Sequence, residues 1–139
     1  MAGIKLSALK VLVVDDELFS RRFLARVLQA IGITQVIETS SATEALAKLE
    51  TLDAGALDLV ISDIEMPEMT GFELSRRIRF GAVPQFKDIP IMILSGELND
   101  DNLRRARTHK VDALVSKPPS VDVLRLELQA MLKRRGAAR

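Results

Sequence analysis

Five short, β-branched-rich apolar runs alternate with five longer amphipathic stretches along this chain, and no other feature narrows its possible folds as much. The runs are KVLVVDD (10–16), TQVIET (34–39), ALDLVIS (56–62), IPIMILS (89–95) and ALVS (113–116). After the first run, ELFSRRFLARVLQAIG (17–32) sets Phe19, Phe23, Val27 and Ile31 at helical spacing and closes on Gly32. Ser41 and Glu44 open the next helix at capping-box spacing, and Thr70 and Glu73 repeat that spacing before GFELSRRIRF. DDNLRRARTH (100–109) reads as a polar, weakly amphipathic helix. Ser120 caps a last one with Val121, Leu124, Leu128 and Met131 on one face. Five strand-then-helix units predict a parallel sheet with helices on both faces. At 139 residues the sheet is expected to be open and doubly wound, because a closed barrel needs eight such units and about 250 residues.

The chain is expected to form one domain over residues 1–139, with a core spanning about 8–133. Its basic tail, KRRGAAR (133–139), is the only stretch expected to be loose. A formal net charge of +1 gives no electrostatic reason to expect nucleic acid or an anionic membrane as a partner. No apolar run approaches the roughly 20 residues of a membrane span, so membrane insertion is not expected. With no cysteine there are no disulfides, thiolate metal sites or thiol nucleophiles. With neither Trp nor Tyr, any stacking platform would rest on five phenylalanines, most of them at core-like spacing. The Phe19/Phe23 pair reads as core packing. His109, the sole histidine, reads as the complement of a helix C-terminus. Arg104, Arg105, Arg107 and Lys110 read as a solvated helix face, and so do Lys133, Arg134 and Arg135.

An open parallel sheet binds ligands outside the carboxyl ends of its strands, so the residues that end each strand carry the chemistry. Strand one ends on Asp15 and Asp16, strand three on Asp63, strand four on Ser95 and Gly96, and strand five on Lys117 and Pro118. Thr39 and Ser40, ending strand two, suggest no sharp role. Carboxylates about 4 Å apart repel by about 4 kcal/mol per pair at an effective dielectric near 20. Protonation, Lys117 or a bound cation must offset that. An all-oxygen donor set without His or Cys favours a hard ion, and two or three carboxylates completed by water suit Mg2+. Beside such a cluster, Lys117 can neutralise phosphoryl oxygens, Ser95 can donate a hydrogen bond, and a free carboxylate can attack phosphorus.

The segments VLVVDDE, LVISDIEMPEMTGFEL, IPIMILSG and ALVSKP stand in the order and at the spacing of one family. Across residues 8–133 the chain resembles the receiver domain of bacterial two-component response regulators, in the single-domain, chemotaxis-receiver-like form. The resemblance implies a flavodoxin-like sheet of strand order 2-1-3-4-5. It implies a cytoplasmic phosphoacceptor module in which Asp63 takes a phosphoryl group from a histidine kinase or a histidine phosphotransfer protein. The product is an acyl phosphate, made without turnover in the manner of an enzyme. Asp16 is then expected to ligate Mg2+ directly, Asp15 directly or through water, and Asp63 and the backbone carbonyl of Glu65 to complete the protein ligands. Ser95, Gly96 and Lys117 are expected to contact the phosphoryl oxygens, and the Lys117–Pro118 peptide to be cis. The downstream partner is a protein that the sequence does not identify.

The chain departs from the family pattern at Leu114, Lys110, Glu68 and Thr70. Leu114 stands where the family usually carries Tyr or Phe, so the customary aromatic switch has no ring to turn. Lys110 stands where a glycine commonly ends the fourth helix. If the backbone there takes positive φ, the lysine costs about 1 kcal/mol. Glu68 and Thr70 replace the more usual Gly and Asp. Glu65 and Glu97, each two residues beyond an active-site residue, occupy positions where the resemblance implies tuning of phosphoryl lifetime.

Rival readings fit less well. A haloacid-dehalogenase-type phosphatase carries its nucleophile on the first strand, followed two residues on by a second Asp. Here Asp63 ends the third strand and Glu65 follows it. A flavodoxin-type binder wants a Ser/Thr/Gly-rich phosphate loop after strand one, where this chain has DDELFSR. A degenerate receiver acting as a phosphorylation-independent interaction module is the closer alternative, although it would usually have lost one of the Asp or Lys residues kept here.

Overall fold

The computed structural model describes residues 5–137. Five parallel strands form one sheet in the order β2-β1-β3-β4-β5. They are β1 (Lys10–Val14), β2 (Gln35–Thr39), β3 (Leu59–Asp63), β4 (Ile91–Ser95) and β5 (Ala113–Ser116). The helices between and after them are α1 (Leu18–Ile31), α2 (Ala42–Glu50), α3 (Gly71–Arg79), α4 (Asp100–Thr108) and α5 (Val121–Ala137). The doubly wound expectation and its strand order therefore hold.

Alternation along each strand splits the core in two. Val11 and Val13 of β1, with Ile61, Met92 and Val115, face Leu24 and Leu28 of α1 and Leu124, Leu128 and Met131 of α5. Leu12 and Val14, with Val60, Ile91 and Ile93, face Ala45 and Leu49 of α2, Phe72 and Ile78 of α3 and Ala106 of α4. Buried on both faces, β4 is wholly apolar up to Ser95.

Helix starts follow their caps. The Ser41, Thr70 and Ser120 hydroxyls accept hydrogen bonds from the backbone N–H groups of Glu44, Glu73 and Val123 at 3.0, 3.1 and 3.1 Å. The carboxylates of both expected capping boxes turn elsewhere. Glu44 accepts from the Ser40 hydroxyl at 2.8 Å, and Glu73 faces Arg76 and Arg77 at 3.6 Å. Gly32, at φ 104°, closes α1 in the left-handed region that glycine tolerates.

Three expectations are corrected. Phe19 is 81% exposed and Phe23 46%, so the pair is not core: α1 turns Leu24, Val27 and Leu28 to the sheet instead. The helix carries two apolar stripes, and the aliphatic one fits the Val11/Val13 surface. Of the five phenylalanines only Phe72 and Phe86 are buried, and Phe80 at 79% exposure lies under the Arg76 guanidinium. Residues 133–137, read as a loose tail, continue α5, because Arg134 donates to the Asp112 carbonyl at 3.0 Å and Arg135 pairs with the Asp112 carboxylate at 3.4 Å. Ala138 and Arg139 lie outside the described residues.

The basic stretch on and after α4 is largely the solvated face expected, with Arg104, Arg107 and Lys110 exposed and Arg105 half-buried. Arg104 pairs with Asp101, and the Arg105 guanidinium sits 4.6 Å over the ring of Phe72. The His109 ring stacks on the same phenylalanine at 5.7 Å. Lys110 follows at φ 57° and Glu68 stands at φ 71°, so both departures from glycine occupy left-handed backbone.

Candidate functional site

Parallel register brings the strand ends to one rim. Val14 pairs with Ser62, Asp63 with Leu94, and Ser95 with Ser116. Asp15 and Asp16 follow β1, Asp63 is the last residue of β3, Ser95 the last of β4, and Lys117 follows β5. Carboxylate oxygens of Asp15, Asp16 and Asp63 lie within 4.8 Å of one another. Asp15 is buried, Asp63 half-buried and Asp16 exposed, so the cluster opens toward solvent on the Asp16 side.

Asp15 and Asp63 are each held by their own loop. Asp15 Oδ1 accepts from the Glu17 N–H at 2.9 Å, and its backbone carbonyl accepts from Arg21 Nη1 at 2.8 Å. Asp63 Oδ1 accepts from the Ile64 N–H at 2.9 Å, which leaves Oδ2 for Lys117. Lys117 Nζ donates to Asp63 Oδ2 at 3.0 Å and to Asp15 Oδ2 at 3.2 Å. The Lys117–Pro118 peptide is cis. Gly71 starts α3 so close to β3 that a Cβ there would stand 2.2 Å from the Asp63 carbonyl oxygen. Glycine at that position lets the helix close over the strand end.

The electrostatics follow from burial and unequal charge counts. Burial pushes Asp63 above the ordinary carboxylate range, against the pull of Lys117, and the neighbouring Asp15 charge adds to the rise. Burial works against the Lys117 charge as well. The bonds and charges of Asp63 and Asp15 outweigh it and hold the ammonium above its ordinary value. Three carboxylates against one ammonium leave the rim short of positive charge. The donor set is entirely oxygen, partly open and fixed by hydrogen bonds at Asp15 and Asp63, which fits a hard divalent cation.

Ser95 lies on the rim but spends its proton locally. Its hydroxyl donates to the Glu97 carbonyl in a short contact and accepts from the Glu97 N–H at 3.0 Å. Asn102, on the first turn of α4, donates to that same carbonyl at 3.0 Å and more distantly to Ser95 Oγ at 3.4 Å. Gly96, Glu65 and Glu97 are exposed beside the cluster. Leu114 is half-buried and packs against the core on the α2–α3–α4 face.

Sequence reading singled out neither Arg21 nor Asn102 as a site residue. Arg21 lies six residues after Asp15, within reach of a helix that starts at the rim. Asn102 lies three after the α4 cap Asn99, where a short polar side chain can fold back over the strand end.

The description "Response regulator receiver domain" fits residues 11–129. The chemotaxis protein CheY of Pseudomonas aeruginosa is 31% identical over 126 residues, which cover 91% of this chain and 98% of that one. Among solved structures, chemotaxis protein CheY4 of Vibrio cholerae matches with a TM-score of 0.79 at 32% identity, over 89% of this chain and 98% of that one. The receiver domain of the histidine kinase CKI1 from Arabidopsis thaliana, solved with Mg2+ and BeF3−, matches with a TM-score of 0.76 at 28% identity, over 89% and 92%. The chain is therefore a member of the response regulator receiver domain family.

Proposed function

We propose that Asp63 accepts a phosphoryl group from the phosphohistidine of a histidine kinase or histidine phosphotransfer protein, in a Mg2+-dependent step that alters binding to a downstream protein. The observation that carries this reading is the Asp63 carboxylate, anchored through Oδ1 and aimed through Oδ2 at Lys117, within a cluster of three acids. An Asp63 oxygen attacks phosphorus, the P–N bond to imidazole breaks, and the imidazole leaves with the electron pair and takes up a proton. Asp63 becomes an acyl phosphate. Burial makes its carboxylate more basic, and so a better nucleophile, than a solvated one.

Lys117 holds Asp63 in line beforehand and meets the phosphoryl oxygens afterwards, with the Gly96 backbone and the Ser95 hydroxyl as further contacts. Asp15, Asp16, Asp63 and the backbone carbonyl of Glu65 would hold the metal, which when bound neutralises the acids and polarises the phosphoryl oxygens. The CKI1 receiver with its Mg2+ and BeF3− supports that assignment by likeness. Glu65 and Glu97 tune the lifetime of the acyl phosphate, and Leu114 passes the change on by repacking in place of a turning ring. Residues 1–139 act as one receiver unit, as a phosphorylated switch and not a turnover enzyme. Among the described residues no helix is long and apolar enough to cross a membrane.

Intact mass spectrometry with Mg2+ and acetyl phosphate tests the reading. One phosphoryl adduct is expected on the parent and none on Asp63→Asn. Followed over time, the adduct on Glu65→Ala and Glu97→Ala is expected to decay at altered rates, and lifetimes equal to the parent's would remove the tuning role. No adduct on the parent, with no Mg2+ binding by calorimetry, would leave the phosphorylation-independent interaction module as the reading.

A further inference from the structure

Resting on the proposed function, we infer that Asn102 is a positioning residue that holds the Ser95 hydroxyl away from the phosphoryl position and ties its release to the first turn of α4. A serine hydroxyl has one proton to give. Here that proton goes to the Glu97 carbonyl, two residues along the same loop. While it stays there, Ser95 has nothing to donate to a phosphoryl oxygen at the rim. The Glu97 carbonyl is itself fixed by the Asn102 amide at 3.0 Å, and the same nitrogen lies 3.4 Å from Ser95 Oγ. Both groups facing the amide offer lone pairs, and a carbonyl can only accept, so the nitrogen of Asn102 must face them.

Neighbouring bonds make this a closed set. The Asn102 N–H donates to Asn99 Oδ1 at 2.8 Å, which caps α4, and Asn99 Nδ2 donates to the Glu97 carboxylate at 2.9 Å. Ser95, Glu97, Asn99 and Asn102 thus join the end of β4 to the start of α4 through side chains. Turning Ser95 toward the rim removes its bond to Glu97 and its contact with Asn102 together. Asn102 therefore favours the resting arrangement, and α4 is the element that feels the turn. With Leu114 in place of an aromatic ring, this set supplies a route from the phosphoryl position to α4 that needs no ring.

The test titrates Mg2+-beryllofluoride into the parent, Asn102→Ala, Asn102→Leu, Ser95→Ala and the Ser95→Ala/Asn102→Ala pair by calorimetry, with thermal melts to confirm folding. Losing hydrogen bonds that favour the resting arrangement is expected to raise the affinity of both single Asn102 variants about three- to tenfold. In the Ser95→Ala background the Asn102 change is expected to do nothing, because there is no hydroxyl to release. Unchanged or weaker binding in folded Asn102 variants would overturn the inference, and so would an equal gain in the Ser95→Ala background. No binding by the parent would overturn the proposed function and this inference with it. Parent binding with unresponsive Asn102 variants would overturn this inference alone.

Discussion

Two ends of the same sheet treat aspartate in opposite ways. At the carboxyl rim, three clustered acids face one ammonium, Lys117, which pairs with Asp15 and Asp63 and leaves Asp16 without it. At the other end, the single carboxylate of Asp112 accepts from Arg79 Nη2 at 2.9 Å, from Arg135 Nη1 at 3.4 Å and from the Ile91 N–H at 2.7 Å. Its backbone carbonyl takes Arg134 as well. Arg79 also donates to the carbonyls of Lys87 and Lys110, so one guanidinium braces the end of α3 against β5 and the turns that precede β4 and β5. At that end Asp112 is saturated with donors. The rim is short of them, and that shortage marks it as the place where a cation and an anion can be added.

Removing the brace is expected to have the largest effect on stability. Asp112→Ala leaves the nearly buried Arg79 without its carboxylate and is expected to cost about 3 kcal/mol in urea unfolding, with phosphorylation of the folded fraction unchanged. A loss of only a few tenths would mean that the far end is an ordinary surface pair.

At the rim the sign reverses. Because burial raises Asp63, the folded chain binds its proton more tightly than the unfolded chain does. Between the two titration ranges the native state carries more protons, so stability falls as pH rises through that window. Asp63→Asn is therefore expected to melt above the parent at pH 7 without divalent ions. The gap should close as the pH drops below the ordinary carboxylate range. A variant that melts lower at pH 7 would show that the Lys117 pair outweighs burial. The smallest effect belongs to the far end again: Lys110→Gly is expected to gain about 1 kcal/mol by relieving the left-handed lysine, since the Arg79 bond to its carbonyl survives.

How much of this could be read in advance depends on range. Strand ends were legible because an apolar run that stops on Asp15, Asp63 or Ser95 announces both the strand and its rim, and parallel topology then gathers them. Helix caps were legible for the same local reason. The facing of α1 was not, since Phe19/Phe23 and Leu24/Val27/Leu28 are both apolar at helical spacing and only the sheet chooses between them. The last turns of α5 were not, because what holds Arg134 and Arg135 is Asp112, more than twenty residues back. Asn102 was invisible for a third reason. A polar residue in a polar helix acquires meaning only when a neighbouring hydroxyl and carbonyl are found turned toward it.

Lys117 has a consequence of a mechanical kind. It follows β5, an outer strand, and Asp15 follows β1, three strands inward. Neighbouring strands lie about 4.8 Å apart, so roughly 14 Å of sheet separates the two backbones at that level. Nζ nevertheless stands 3.2 Å from Asp15. The long side chain is a tie-rod laid across the end of the sheet, coupling its outer strand to β3 through Asp63 and to β1 through Asp15. Whatever anion draws the ammonium away from both aspartates slackens that rod, and β5 is left to the grip of its single neighbouring strand and the helices packed on it.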